Sequence, residues 1–542
     1  MLESTDRSMD KQNETVELRT IGGSEMPRDS RNARDNEELT RLGKKPVLKR
    51  NFGFVSMLGF SCTVMITWEG VLLLFTINFT NGGLAGSVYG YLIVWLGTLA
   101  AFSTMAELSS MAPTAGGQYH WVSILAPHNS RKFFSYIIGW LTMVGWQAIV
   151  ASGGYLSASL IQGLMVMNNA AYVPRRWQLV LLYWAMIGFS IAVNTLISAL
   201  LPKVESVILI VHTVGFFAIL IPLIYWAPHG TASDVFTLFL NEGGWSTQTL
   251  SFFVGIIGPV FSLLGADGAV HMSEEISKPS LNVPRAIVFS ILLNGTLGFG
   301  MLLAALFCLG NIDEVLQTPT GYPFMAIFQQ AVGSLPGALT MAAIVSIMNI
   351  CATISFVATA SRMTWSFARD RGVPGWQYLS KIEPRTTLPL LSIAFTATIA
   401  ILLSLIGLGS LVAFNDVVSL SINGLYTSYL IGNGFLLYRR LTGTIQPYSS
   451  TRMTLTNTMN SELSWGPWKI PEPFGTIVNA LGCIYLMIIL IFSFFPITVN
   501  PSPAGMNYSC LMTGTVGIFA VVFYLVHGHK IYKGPVVEVQ LE

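Results

Sequence analysis

From residue 51 onward the chain alternates long apolar runs with short polar ones, and the runs exceed what strands or the helices of a water-exposed core require. Crossing a hydrocarbon layer ~30 Å thick takes roughly 20 apolar residues in a helix. By that measure there are twelve segments, near 52–79, 86–111, 133–165, 178–201, 204–227, 250–275, 286–310, 337–368, 389–407, 410–438, 475–496 and 510–528. The pattern predicts an all-α integral membrane protein of twelve transmembrane helices. An even number places both tails on one side.

Two segments are interrupted. The sixth lies in FFVGIIGPVFSLLGADGAVHMSEEISKPSLNVPRAI (252–287) and breaks at Gly265-Ala266-Asp267-Gly268, before leaving the apolar phase at Glu274-Glu275. Glycine is among the poorest interior helix formers. Non-helical backbone at membrane depth persists only where protein or a watery cavity covers it. A carboxylate in such a break marks a binding site. The first segment carries Thr67-Trp68-Glu69-Gly70 near its centre. Glu69 either faces a cavity or is a protonated structural group bonded to a neighbouring helix. Trp68 serves the site or simple packing. In the fifth segment His212 is either a satisfied interhelical donor or a titrating group. Asn349 and Thr353 are polar positions in the eighth, and Asn415, Asp416 and Asn423 require the tenth to turn one face inward. The small residues Gly145, Ala148, Ser152, Gly153 and Ser157 of the third permit close helix contact, with packing the simpler reading.

The interrupted segments, first and sixth, and the unusually long ones, third and eighth, recur at an offset of five. An odd offset inverts the second copy, the signature of secondary transporters with inverted repeats. The predicted organisation is a disordered tail over 1–50, a first repeat over 51–227 and a second over 228–438. A loop with two further helices follows over 439–528, then a tail over 529–542. The expected site lies between segments 1 and 6 at the midplane.

Composition agrees: 52% of residues are hydrophobic and 10% charged, where soluble domains average roughly 25%. With both tails in the cytoplasm, every Lys and Arg except Arg175 and Arg176 falls on the inner side or at inner helix ends, as the positive-inside rule expects. The net charge of +2 therefore reflects membrane sidedness and implies no nucleic-acid partner. The five cysteines show neither disulfide nor metal-ligand spacing. No cleavable leader is visible, because the first fifty residues are polar and the first apolar segment is too long for one. No GxxxxGK[ST] loop, nucleophile motif or cofactor motif appears, which argues against an ATP-driven pump and against a membrane enzyme. The long polar tail is also compatible with a sensor that binds without transporting.

Three runs, AELSSMAPTAGGQYHW (106–121), EEISKPSLNVPRAI (274–287) and SRMTWSFARDRGVPGW (361–376), resemble the amino acid–polyamine–organocation superfamily. They are most similar to its fungal amino acid/choline branch, which holds GABA permeases and choline permeases. The resemblance covers roughly residues 50–530. It implies a five-plus-five inverted-repeat core with two extra helices, alternating access, and uptake of amino acids or related amines with protons at a plasma or vacuolar membrane. It carries the helix 6 motif onto Gly265, Ala266, Asp267, Gly268, Glu274, Glu275 and Pro279. It also places His212 where some bacterial members have a lysine in place of a sodium ion. Many members have a glycine-rich break in helix 1, whereas this chain has Thr67-Trp68-Glu69-Gly70. The substrate-binding set expected is Thr67, Trp68, Glu69, Gly70, Gly265, Ala266, Asp267, Gly268 and Asn349. Glu69, His212 and Asp267 are the candidates for proton coupling. A permease for choline, a polyamine or another cationic amine is the alternative, with Glu69, Asp267 and Trp68 suited to such a cation.

Overall fold

A computed structural model describes residues 28–169, 171–310, 312–409, 411–449, 454–503 and 505–539. Residues 1–27 of the expected tail, and the side chains of Asn415 and Asp416, lie outside the described set. The described residues form helices and no sheet, with only isolated bridges such as Phe52 to Ile276.

After α1 (Arg28–Arg41) come α2 (Phe54–Met65), α3 (Thr67–Leu73) and α4 (Phe75–Met111), which is broken inside at Gly83 (φ 65°, ψ −157°). A Cβ on Gly83 would stand 2.7 Å from the Leu240 nitrogen, so that corner excludes a side chain. Then follow α5 (Gln118–Leu125), α6 (Arg131–Asn168), α7 (Arg176–Leu196), α8 (Leu201–Trp226) and α9 (Ala232–Thr237). The sixth apolar segment is divided into α10 (Gln248–Gly255), α11 (Ile257–Ser262) and α12 (Gly268–His271). Next are α13 (Pro279–Phe307), α14 (Ile312–Leu316), α15 (Pro323–Val332), α16 (Leu335–Arg369) and α17 (Trp376–Leu379). The last are α18 (Leu390–Gly409), α19 (Leu411–Leu441), α20 (Phe474–Phe492) and α21 (Ser509–Phe523).

Among the described residues ten helical stretches are long and apolar enough to cross a membrane. Two of the twelve expected segments fall short. The sixth is cut into pieces, and the tenth, α19, carries several asparagines. Along α8 the outward stripe Val207, Ile210, Val214, Phe217, Ile221 and Ile224 is exposed. Bare apolar side chains at helical spacing mean that the solvent on that face is hydrocarbon.

The core is organised on α6 and α16. A Cβ on Gly153 would stand 2.6 Å from the Phe356 ring, and one on Gly139 2.3 Å from Phe367. The small residues of α6 thus let two long helices approach closely, which is the packing reading of that stripe.

Every residue of α5 is buried. One sequence expectation needs correction. Residues 28–50 were expected to be disordered, yet α1 and the strap after it dock on the bundle. Leu39, Leu42 and Leu48 are buried, the Arg50 guanidinium donates to the Ile276 carbonyl at 2.9 Å, and Lys278 N–H donates to Asp35 at 2.9 Å. Their partners lie far along the chain, so local composition could not reveal them.

Candidate functional site

The first interruption falls at Ile66, one residue before the expected tetrapeptide. Ile66 has φ 38° and ψ 48°. A β-branched residue in the left-handed region is strained and persists only where the surroundings enforce it. Thr67, Trp68, Glu69 and Gly70 are the first turn of α3 and so are helical. Gly70 faces the sixth segment, where an added Cβ would meet Ser262 at 3.0 Å. The second interruption runs from Leu263 to Asp267, with Gly265 at φ 103°.

Both interruptions border one cavity of about 20 Å³. Val64, Met65 and Ile66 wall it on one side, and Phe261, Leu264 and Gly265 on another. Ile149, Ser152 and Leu156 of α6 and Asn349 and Phe356 of α16 complete it. That space holds about one water. It is far below the ~300 Å³ of the smallest ordinary ligand pockets. Of the expected substrate residues, Gly265 and Asn349 line it, while Thr67, Trp68, Glu69, Gly70, Ala266, Asp267 and Gly268 do not. Phe261 and Phe356 were not anticipated; in the sequence they are aromatics in apolar helices like many others. The Asn349 amide donates to Ser157 Oγ at 2.8 Å, which fixes its orientation beside the cavity.

Glu69 and His212 come together, both wholly buried. His212 Nδ1 lies 2.9 Å from Glu69 Oε1 and receives the Trp68 indole N–H at 3.1 Å. His212 Nε2 lies 3.1 Å from Asn294 Oδ1, while the Asn294 amide donates to the Cys62 carbonyl at 3.0 Å. That last bond orients Asn294, so His212 Nε2 must carry a proton. Nδ1 is then the variable atom. If it accepts from Trp68, Glu69 must hold a proton of its own to bond it. If it is protonated, it pairs with a Glu69 carboxylate and Trp68 loses its acceptor. Glu69 and His212 thus have one proton to share.

Asp267 is arranged differently. Its Oδ1 accepts from the Tyr429 hydroxyl at 2.6 Å, and its Oδ2 accepts from the Gln118 amide at 2.8 Å and the Trp146 indole at 3.3 Å. His271 Nε2, at 3.6 Å, is too far for a hydrogen bond. Three donors from α5, α6 and α19 therefore tie the sixth-segment break to its surroundings.

The end of the bundle that carries the basic residues is closed. The Arg362 guanidinium donates to Glu275 at 2.8 Å, and Arg369 grips Glu274 with two bonds of 2.7 and 2.9 Å. Arg371, by contrast, is exposed and lies over the Trp376 ring. Next to them Asp370 accepts from Lys44 Nζ at 2.5 Å, the Tyr119 hydroxyl at 2.7 Å and the Val536 N–H at 2.8 Å. Burial alone would raise the Asp370 carboxyl. Lys44 and Arg369 outweigh that and hold it below the usual carboxylate range.

Long apolar helices, two interrupted segments meeting at a buried cavity, and buried ionisable groups nearby mark a multi-pass membrane protein. The sequence profile described as amino acid permease matches residues 52–516, and the chain belongs to that family. Among its relatives, a protein of Macrophomina phaseolina named for amino acid/polyamine transport is 30% identical over 84% of this chain and 96% of its own length. The choline transporter of Saccharomyces cerevisiae is 27% identical over 89% of this chain and 82% of its own. Amino-acid permease 2 of Neurospora crassa is 26% identical over 92% of this chain and 89% of its own.

Proposed function

We propose that this chain is a secondary active transporter that moves an amino acid or related amine by alternating access, coupled to proton entry. The observation that carries the reading is the cavity bounded by both interrupted segments. Where a helix stops, the last carbonyls and first N–H groups lack intrahelical partners. Those of α2, α3 and α11 suit an ammonium and a carboxylate respectively. Because the cavity has room for about one water, substrate enters only when the interrupted helices move. Glu69 and His212 are the proton pair. Asp267 acts here as an anchor of the break, because its three donors already satisfy it.

Membership of the family, together with the placement of the interruptions and of the two long helices, supports twelve spans in a five-plus-five inverted repeat. The basic residues support cytoplasmic tails. The plasma membrane, with the vacuolar membrane as the competing location, rests on the family resemblance, and microscopy of the full chain decides it.

A second reading is a permease for choline or another cationic amine. Phe261 and Phe356 beside the cavity favour it, since aromatic faces bind quaternary ammonium. The choline transporter among the relatives supports the same class. Trp68 and Glu69 contribute less than the sequence implied, because they bond to His212. Radiolabelled uptake of neutral amino acids, GABA, choline and polyamines at two pH values, with and without a protonophore, tests both readings. Uptake of none, or uptake indifferent to pH and protonophore, overturns substrate class or coupling respectively.

A further inference from the structure

A second buried acid stands on the same helix as His212. Glu205 of α8 is wholly buried, two helical turns from His212, and so on the same face about 10.5 Å away. It sits where α2, α8 and α16 meet. The contact is tight enough that a Cβ on Gly59 of α2 would stand 2.4 Å from the Glu205 carbonyl oxygen. The Ser355 hydroxyl of α16 donates to Glu205 Oε1 at 2.8 Å. Thr63 of α2 lies beside the carboxyl, and its hydroxyl donates to the Gly59 carbonyl at 2.8 Å.

Oε2 has no hydrogen-bond partner, and among the described residues no ion pair joins Glu205. The groups around it offer no positive charge. From α16 the titratable neighbour is Cys351, which also feels Glu69, and α2 presents Thr63. α13 presents Asn294 to this helix at the level of His212. On α8 itself Lys203 points out to an exposed position. A carboxylate in that setting would leave one oxygen desolvated and unpaired. A neutral acid removes that charge: Ser355 donates to Oε1, and Oε2 carries the proton with the Thr63 side chain beside the carboxyl.

We propose that Glu205 is a second proton-binding residue of the transport cycle, protonated in this closed arrangement and ionising when α2 draws away from α8 and α16 and water reaches it. The proton leaves to water on the basic face. The inference rests on the reading of the chain as a proton-coupled carrier, and it adds a release station below the Glu69–His212 pair.

The test is infrared spectroscopy of the purified full-length protein in liposomes at neutral pH. A protonated carboxyl gives a C=O stretch that a carboxylate lacks. Glu205→Gln should lose one such component, and Ser355→Ala, which keeps the carboxyl but removes its donor, should shift that component upward. A carboxyl region unchanged in Glu205→Gln means that the group is ionised and overturns the proposal. Loss of the component on replacing potassium chloride by sodium chloride would make it a cation site, which also overturns it. In uptake, with choline and GABA as probes, Glu205→Gln should keep counterflow. Its gain on raising internal pH should fall by about ten-fold, the equivalent of one pH unit. A wild type indifferent to pH overturns the symport reading; a proton-driven wild type matched by Glu205→Gln overturns the role of Glu205 alone.

Discussion

His212 Nδ1 stands 2.9 Å from Glu69 Oε1 and 3.1 Å from the Trp68 indole nitrogen, so one ring atom faces both an acid and an N–H donor. Moving a single proton from Glu69 to Nδ1 turns that atom from acceptor to donor and takes the acceptor from Trp68.

His212→Ala and Glu69→Gln should therefore fail in the same way. Each should reduce pH-driven accumulation by about ten-fold or more, the equivalent of at least one unit of proton gradient, while substrate counterflow persists. The double variant should be no worse than either single one, since both act through the shared proton. Additive losses would separate the two residues.

Gly265 is the glycine that the sixth-segment break cannot replace. At φ 103° any side chain is strained, and a Cβ would lie 2.9 Å from Val64 Cγ1. Strain of about 1–3 kcal/mol is expected, so Gly265→Ala should lower uptake by roughly ten-fold with the protein still inserted in the membrane. Gly268→Ala meets Thr359 Oγ1 at 3.2 Å without positive φ, so it should be milder, whereas Gly268→Leu should abolish uptake. Surface expression measured beside uptake checks all three.

Asp370 sets the acid limit for docking of the tails. A carboxyl held below its unfolded value contributes stability that is complete above that value, ~3.9, and is lost as pH falls through the lower folded one. Hydrogen exchange at residues 42–50 and 533–539 should stay slow from neutral pH down to about 4 and rise only in stronger acid. Asp370→Asn should raise it at neutral pH.

Phe356→Ala distinguishes the two substrate classes. Losing one cation–π face costs about 0.5–2 kcal/mol, so choline uptake should weaken by roughly two- to thirty-fold. A carrier that recognises a carboxylate through backbone N–H groups should change little for GABA. Half-saturation concentrations for both probes give the comparison.

Apolar run length carried most of the helices, because a span is a local property of some 20 residues. Gly265 was legible for the same reason: glycine inside an apolar helix has few bland explanations. Ile66 was not, since nothing in an isoleucine announces left-handed backbone, and the neighbouring Gly70 drew the break into the Thr67–Gly70 turn that opens α3. Glu69 and His212 were legible separately as ionisable groups in apolar helices, but their pairing depends on how α3 and α8 pack. The strap was misread because its lysine and aspartate partners lie hundreds of residues away. Asp267 was read as facing the site, and its satisfaction by Tyr429, Gln118 and Trp146 required three helices that sequence spacing does not relate.

Asp370 is gripped from both ends of the chain, by Lys44 near the start and by the Val536 N–H near the finish, while the Glu538 N–H reaches back to the Gly43 carbonyl at 2.6 Å. Synthesis runs from the first of these to the last. Lys44 is made before its partner Asp370, and Val536 is made later than both. The basic end of the bundle is therefore fully closed only once Val536 and Glu538 have been made. A chain ending at Pro535 should insert all its spans yet carry an incomplete seal, because it lacks the Val536 and Glu538 N–H donors.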